Sequence, residues 1–443
     1  MILVGKGTVI TRDSANPLIE NGGVLLDGTH IAQVGTYDAL RTQYPEAELV
    51  DAKGGLIMPG LINMHEHIYS ALARGLSVNG YAPKGLYDIL EGMWWYMDRR
   101  LTLEQTYFSA VATYLDCIKN GVTTVFDHHA SFGAIEGSLF KIKEAADELG
   151  VRTCLCYEIS DRDGMEKSKA SIKENLDFIE YVAKDNTDMI KAMMGMHAQF
   201  TISDETFAYC REHLPEGVGV HIHVAEGIED LHDCLQKHGK RIVNRLMDHG
   251  LLGPQSMVAH CIYVNEQEMD LLKATDTMVV HNPESNMGNA CGCPPTLRIF
   301  EKGILTGLGT DGYTHDMLES YKVANILHKH NLCDPNAAWG EIPAMLFDNN
   351  PKMANRYFET PLGVLRAGAA ADVIVVDYDP LTPLHAGNIN SHLLFGVNGA
   401  MTRTTIINGK VRMQDREIIG FDEAKAMADC RQAAAALAKS ING

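Results

Sequence analysis

The sequence predicts an α/β protein: a (β/α)8 TIM barrel with a small β-sandwich domain built from both chain ends. Three observations carry this. Eight short β-rich runs alternate with longer helical stretches, polar or ionisable residues close most of those runs, and the two ends share a hairpin-rich style absent from the middle. The runs are Leu61–His67, Val122–His128, Val151–Ile159, Ile190–His197, Val218–Ala225, Met257–Cys261, Thr277–Asn282 and Ile304–Asp311. Helical spacing lies between them, as in Leu103–Asn120, Glu136–Leu149, Ser168–Ala183 and Asp230–His249. Such alternation argues for βαβ units and a parallel sheet, and eight units argue for closure into a barrel. No G-x-G-x-x-G follows the first run, which counts against an open dinucleotide-binding sheet.

The ends read differently. Met1–Gly5, Thr8–Thr11, Gly23–Asp27 and His30–Gly35 are short strands, punctuated by Asn21-Gly22-Gly23 and Asp27-Gly28. Ala371–Val376, Thr404–Ile407 and Lys410–Met413 repeat the style, with the hairpin signal Asn408-Gly409. The expected division is residues 1–56 for the first part of the β domain, 57–360 for the barrel, and 361–443 for the second part plus a terminal helix over the Ala-rich Gln432–Lys439.

Composition narrows the function. Of 443 residues, 46% are apolar and 21% charged, as in an ordinary soluble protein. The net charge of −19 opposes nonspecific contact with a phosphate backbone, so no nucleic-acid partner is expected. Apolar runs such as Gly54–Ile62 fall far short of the ~20 residues that span a bilayer, so no membrane partner is expected either. The start Met1-Ile2-Leu3-Val4-Gly5-Lys6 has no export pattern, and ten cysteines form no C-x-x-C pair, which together point to a reducing cytoplasm.

The chemistry gathers at the run ends. In Asn63-Met64-His65-Glu66-His67, alternation aims His65 and His67 the same way, at the C-terminal end of a barrel strand, where barrel active sites form. In His221-Ile222-His223-Val224-Ala225-Glu226, His223 ends the fifth run and Glu226 follows three residues later, so a ligand and a carboxylate can flank one water. His221 shares the orientation of His223 and competes for the ligand role. His197, His260, His281 and Asp311 close the fourth, sixth, seventh and eighth runs. Burying so many polar groups in one ring is costly unless they bind something.

These segments resemble the amidohydrolase superfamily, and within it the metal-dependent deaminase and chlorohydrolase subgroup. The matching pieces are Pro59-Gly60-Leu61-Ile62-Asn63-Met64-His65-Glu66-His67, His223-Val224-Ala225-Glu226, His281-Asn282-Pro283-Glu284-Ser285-Asn286, Gly309-Thr310-Asp311, and Gly368–Asp377. They span nearly the whole chain, and the whole-chain likeness is to the SsnA group of aminohydrolases. The resemblance implies that His65, His67, His223 and Asp311 bind one divalent metal ion, zinc before iron. It implies that Glu226, His260 and Asp311 do acid–base work, that His197 contacts substrate, and that the site is mononuclear because the fourth run ends in His197. It also makes a homodimer the expected assembly.

The function this implies is hydrolytic deamination of a nitrogen heterocycle, purine-like before pyrimidine, with release of ammonia. Hydrolysis of another C–N or C–Cl bond is the alternative on the same scaffold, and a catalytically silent binding protein the alternative of another class. Arg74 and Trp94 join His197 as candidate substrate contacts. The insertion between Leu76 and Arg100, with Trp94 and Trp95, reads either as a lid or as a helix packed on the rim. His128 and His129 either line the pocket or cap the barrel. Cys291 and Cys293 form a C-x-C in a loop near the pocket, and inert thiols are the plainer reading.

Overall fold

The structure, a computed structural model, describes residues Met1–Gly443. Its centre is a ring of parallel strands: β1 (Leu61–Glu66), β2 (Val122–Asp127), β3 (Arg152–Leu155), β4 (Ile190–Ala192, resuming as Met194–Ala198), β5 (Val220–Val224), β6 (Met257–His260), β7 (Met278–His281) and β8 (Thr306–Leu308). β1 to Ile190–Ala192 form one sheet and Met194–Ala198 to β8 another, each in chain order. Isolated bridges join them at both seams, Glu66 with Asp311 and Ile159 with Met196. At the first seam the Thr310 and Asp311 N–H groups donate to the His65 carbonyl at 3.0 and 2.9 Å. All eight expected runs thus supply a barrel strand.

Alternation decides which side chains turn inward. Val220, Ile222 and Val224 of β5 join the apolar layer under Leu231, Ile242 and Leu246 of the outer helices, so His221 and His223 face the interior. Below them the barrel is filled by Ile62, Met64, Phe126, Cys154, Met257 and Met278. An apolar floor cannot hydrate the polar groups above it, so those groups must find partners in each other.

The two chain ends meet in one nine-stranded sheet. Leu56–Pro59 pairs antiparallel with Val373–Val376, in register from Val373 with Pro59 to Val376 with Leu56. Val373 and Val375 pack with Val9, Val24 and Ile57 in the sheet's own core. Ile374 and Val376 face the other way and pack with Tyr114, Leu115 and Ile118 of the barrel helix Leu103–Lys119. The buried ion pair of Arg152 on β3 with Asp372 strengthens this junction.

Local chemistry explains two departures from expectation. Met1–Gly5 and Thr8–Thr11 are one strand, Ile2–Ile10, carried through bulges around Gly5 and Gly7 with Lys6 at φ +60°. The stretch Asp230–His249 is two helices, Ile228–His238 and Ile242–Asp248, because Gly239 ends the first in the left-handed conformation at φ +65°. The terminal helix, Glu423–Asn442, sends Leu437 and Ile441 against Tyr69, Leu72 and Met97 near the barrel mouth. No helix is long and apolar enough to cross a membrane.

Candidate active site

β1 with the residue that follows it, and β5, each present two histidines, at different depths. The deeper pair bond to each other, His65 Nδ1 to His221 Nε2 at 2.8 Å. The upper pair, His67 and His223, bring their Nε2 atoms to 3.2 Å and line the pocket. His67 Nε2 is also 3.1 Å from Oδ1 of Asp311, and His65 Nε2 is 3.9 Å from the same oxygen. The competition between His221 and His223 is resolved by depth: His221 stands behind His65 and holds it.

Backbone carbonyls set the tautomers. Nδ1 of His67 donates to the His128 carbonyl at 2.6 Å, and Nδ1 of His223 to the His197 carbonyl at 2.9 Å. Since a carbonyl only accepts, each neutral ring turns a lone pair at Nε2 toward the other. Two lone pairs at 3.2 Å repel unless a proton or a cation lies between them. Nε2 of His65 is buried with no hydrogen-bond partner at all. Donors around a tetrahedral cation with bonds of ~2.0–2.1 Å sit about 3.3 Å apart, close to the separations here. His65, His67 and His223 cluster this way, as do His65, His260 and Asp311. The donor set therefore fits one divalent cation.

Electrostatics agree. Burial, reinforced by neighbouring imidazoles, holds His65 and His223 well below the usual histidine range, so both are neutral and free to offer a lone pair to a cation. Burial alone would lower His67 too, but Asp311 holds it up at about 9. Burial would raise Asp311, yet His67 and His260 keep it well below the carboxylate range, and it is an anion.

Above this cluster stand His260 and Glu226. His260 Nε2 is 3.7 Å from Glu226 Oε2 and 3.5 Å from Asp311 Oδ2, and has no hydrogen-bond partner. Its Nδ1 donates to Oδ1 of Asn286 at 2.8 Å, which leaves Nε2 as an acceptor facing the cavity. Burial raises the Glu226 carboxyl, the direction a general acid needs. The strands stop where these groups begin because the backbone turns sharply: Ala225, His260, Cys261 and Asp311 all have positive φ, from 51° to 72°. Non-glycine residues there are strained, and such strain collects where geometry serves function.

The pocket over these groups is walled by Tyr69, Leu86, Ile89, Leu90, Trp94 and Trp95. The insertion thus covers the pocket through its helical turns Leu86–Ile89, Leu90–Trp94 and Trp95–Asp98, and it also packs on the rim, with Tyr96 Oη donating to the Ile441 carbonyl at 3.2 Å. His197 lines the pocket beside Trp95, ring centroids 5.6 Å apart. Arg74 is not brought there: its side chain is 64% exposed and pairs with Asp116 at 2.8 Å. His128 and His129 are fully buried behind the pocket wall. The Cys291 thiol sits 3.9 Å from Glu226 Oε1, and Cys293 is 3.7 Å from His328 Nδ1. Sequence reasoning passed over Glu158, Ser285 and Asn289 as lining residues and Asn286 as the support of His260. The signal for Glu158 was a carboxylate close to the C-terminal end of the third run, the end at which most other runs carry their histidines.

Residues 56–412 match the Amidohydrolase family, and residues 22–47 match the imidazolonepropionase-like composite domain of bacteria. The chain belongs to the amidohydrolase family. It is 33% identical to the 5'-deoxyadenosine deaminase of Methanosarcina barkeri, over 100% of this chain and 99% of that one. It is 30% identical to the 5-methylthioadenosine/S-adenosylhomocysteine deaminase of Thermococcus sibiricus, over 93% and 94% respectively. Its fold matches an adenosine deaminase from Xanthomonas campestris with bound zinc, at TM-score 0.86, 21% identity and coverage of 99% and 98%. It also matches the guanine deaminase of E. coli, at TM-score 0.79, 20% identity and coverage of 94% and 100%.

Proposed function

We propose that this chain is a zinc-dependent aminohydrolase that removes ammonia from a purine-like ring. The observation that carries it is the convergence of His65, His67, His223 and Asp311 beneath Glu226 and His260, at the base of one aromatic-walled pocket. Three imidazoles and a carboxylate suit zinc, and the deaminases named above act on purine compounds: 5'-deoxyadenosine, 5-methylthioadenosine and S-adenosylhomocysteine, adenosine, and guanine. His65, His67, His223 and Asp311 would hold the cation. When bound, it supplies Lewis acidity that brings the pKa of a coordinated water from about 15.7 toward ~7.

The chain's own groups do the rest. Asp311 and His260 accept and orient the proton of the attacking water. The oxygen adds to the ring carbon that bears the amino group, and the adjacent ring nitrogen must gain a proton as that carbon becomes tetrahedral. Glu226 delivers this proton. The proton held by Asp311 and His260 then passes to the amino group, which leaves as ammonia, while the hydroxyl proton returns to Glu226 and a carbonyl remains. Trp94 and Tyr69 flank the flat ring, and His197 reaches its edge. No Lys or Arg lines the pocket, so a neutral ring suits it better than a phosphorylated one.

Ten free cysteines suit a reducing cytoplasm, and a homodimer is the assembly that light scattering on purified protein should find. Function is tested by ammonia release from zinc-loaded protein with adenine, guanine, adenosine, 5'-deoxyadenosine and cytosine. Release from at least one purine, abolished by chelation, is expected; no release from any of them overturns the proposal.

A further inference from the structure

Glu158 is the one carboxylate of the pocket wall that the proposed reaction does not use. It is 3% exposed, and its Oε1 has no hydrogen-bond partner. The nearest cation, Nη2 of Arg162, is 3.7 Å away and already bonded to the buried Asp98. One guanidinium therefore stands against two carboxylates.

The other oxygen is no better served. Glu158 Oε2 faces Nδ1 of His128 at 3.8 Å. Nε2 of His128 points at the carbonyls of Met196 and His221, at 3.0 and 3.2 Å, so the ring proton sits there and Nδ1 carries a lone pair. Nδ1 of His128 and Oε1 of Glu158 are thus both buried without a hydrogen-bond partner, and Oε2, which faces Nδ1, receives no hydrogen bond from the chain. Buried polar groups left unpaired cost about 1–3 kcal/mol each, so the pair calls for a donor from outside.

A second cation is the first alternative, since His128, Glu158 and His223 offer ligand atoms within 4.8 Å of one another. His223 cannot serve it: its Nδ1 donates to the His197 carbonyl and its Nε2 meets His67. That leaves two donors, too few for a site. An N–H group on the ligand meets the demand. Glu158 lines the pocket alongside His67 and His197, and His128 behind it lies 4.5 Å, centroid to centroid, from the His223 ring. At this depth the donor belongs to the reacting ring, not to a distant substituent.

We propose that Glu158 accepts a hydrogen bond from a ring N–H of the substrate, so that this enzyme acts on a free base or similar heterocycle whose ring nitrogen carries no sugar, in contrast to the 5'-deoxyadenosine and 5-methylthioadenosine named for two of its relatives. This rests on reading the pocket as that of a deaminase. It is tested without turnover, by calorimetric binding to zinc-loaded protein of hypoxanthine, 1-methylhypoxanthine and 9-methylhypoxanthine, none of which has an amino group to lose. Hypoxanthine should bind at least tenfold tighter than 9-methylhypoxanthine, which lacks the ring N–H that a nucleoside also lacks. In Glu158→Leu the difference should shrink to within twofold, and in Glu158→Gln, which keeps the shape should the leucine variant not fold, it should shrink by at least threefold. Equal binding of the three, no binding of any, or an unchanged methylation penalty in the variants overturns the proposal. So does a second zinc per chain in the native protein that Glu158→Gln loses. Ammonia release is scored separately, so failure of the deaminase reading is distinguishable from failure of this one.

Discussion

Nε2 of His67, just beyond β1, lies 3.1 Å from Oδ1 of Asp311, beyond β8. With His67 held at about 9 and Asp311 an anion, a proton occupies the space between them at pH 7 whenever no cation does. The other two imidazoles of the cluster, His65 and His223, are already neutral.

Cation uptake should therefore release about one proton per chain at pH 7. The sign follows from the raised pKa: below about 9 the proton competes, so apparent affinity should fall roughly tenfold per pH unit on acidification and level off above about 9. Calorimetry in buffers of different ionisation enthalpy reads the proton count. A count near zero would detach His67 from the ligand set.

Glu226→Gln should keep its cation and lose about 10²–10⁴-fold in kcat. In the native enzyme a general acid must be protonated, so activity should decline on the alkaline side of the raised Glu226 pKa. Metal analysis with steady-state rates checks both halves, and near-normal turnover would remove Glu226 from the mechanism.

Asn286→Ala should cost about 10–100-fold in kcat with one cation still bound, because His260 loses the acceptor that fixes its tautomer. Asn286→Asp, which restores an acceptor at that position, should recover part of the rate. Equal rates in the alanine variant and the native protein would show that His260 orients without this bond.

Arg152→Leu should destabilise the fold by about 3–5 kcal/mol, since it leaves Asp372 buried without its cation between barrel and terminal sheet. Denaturant melts measure this. Activity per folded chain should be unchanged, because the pair lies away from the pocket, and a loss confined to activity would contradict it.

Much of the site was legible because its grammar is local. The two-residue alternation that places His65 with His67 and His221 with His223 is written into any strand. What alternation cannot tell is depth, so the strand pattern alone leaves His221 and His223 rivals; the family resemblance favours His223, and the structure supplies the reason, His221 standing behind His65. Arg74 shows the opposite failure: a cation following a pocket strand looked like a substrate contact, but Asp116, on the neighbouring helix, captures it. Glu158 was missed because its meaning lies in what faces it.

The sequence by itself determined the order of strands and helices and the residue types that crown the barrel, because periodicity and turn chemistry act between near neighbours. Only the tertiary structure decided which nitrogen of each histidine points inward, which ring supports which, and where an acceptor is left without a donor. Those depend on carbonyls and carboxylates lent by strands distant in the chain, and no spacing along one strand specifies them.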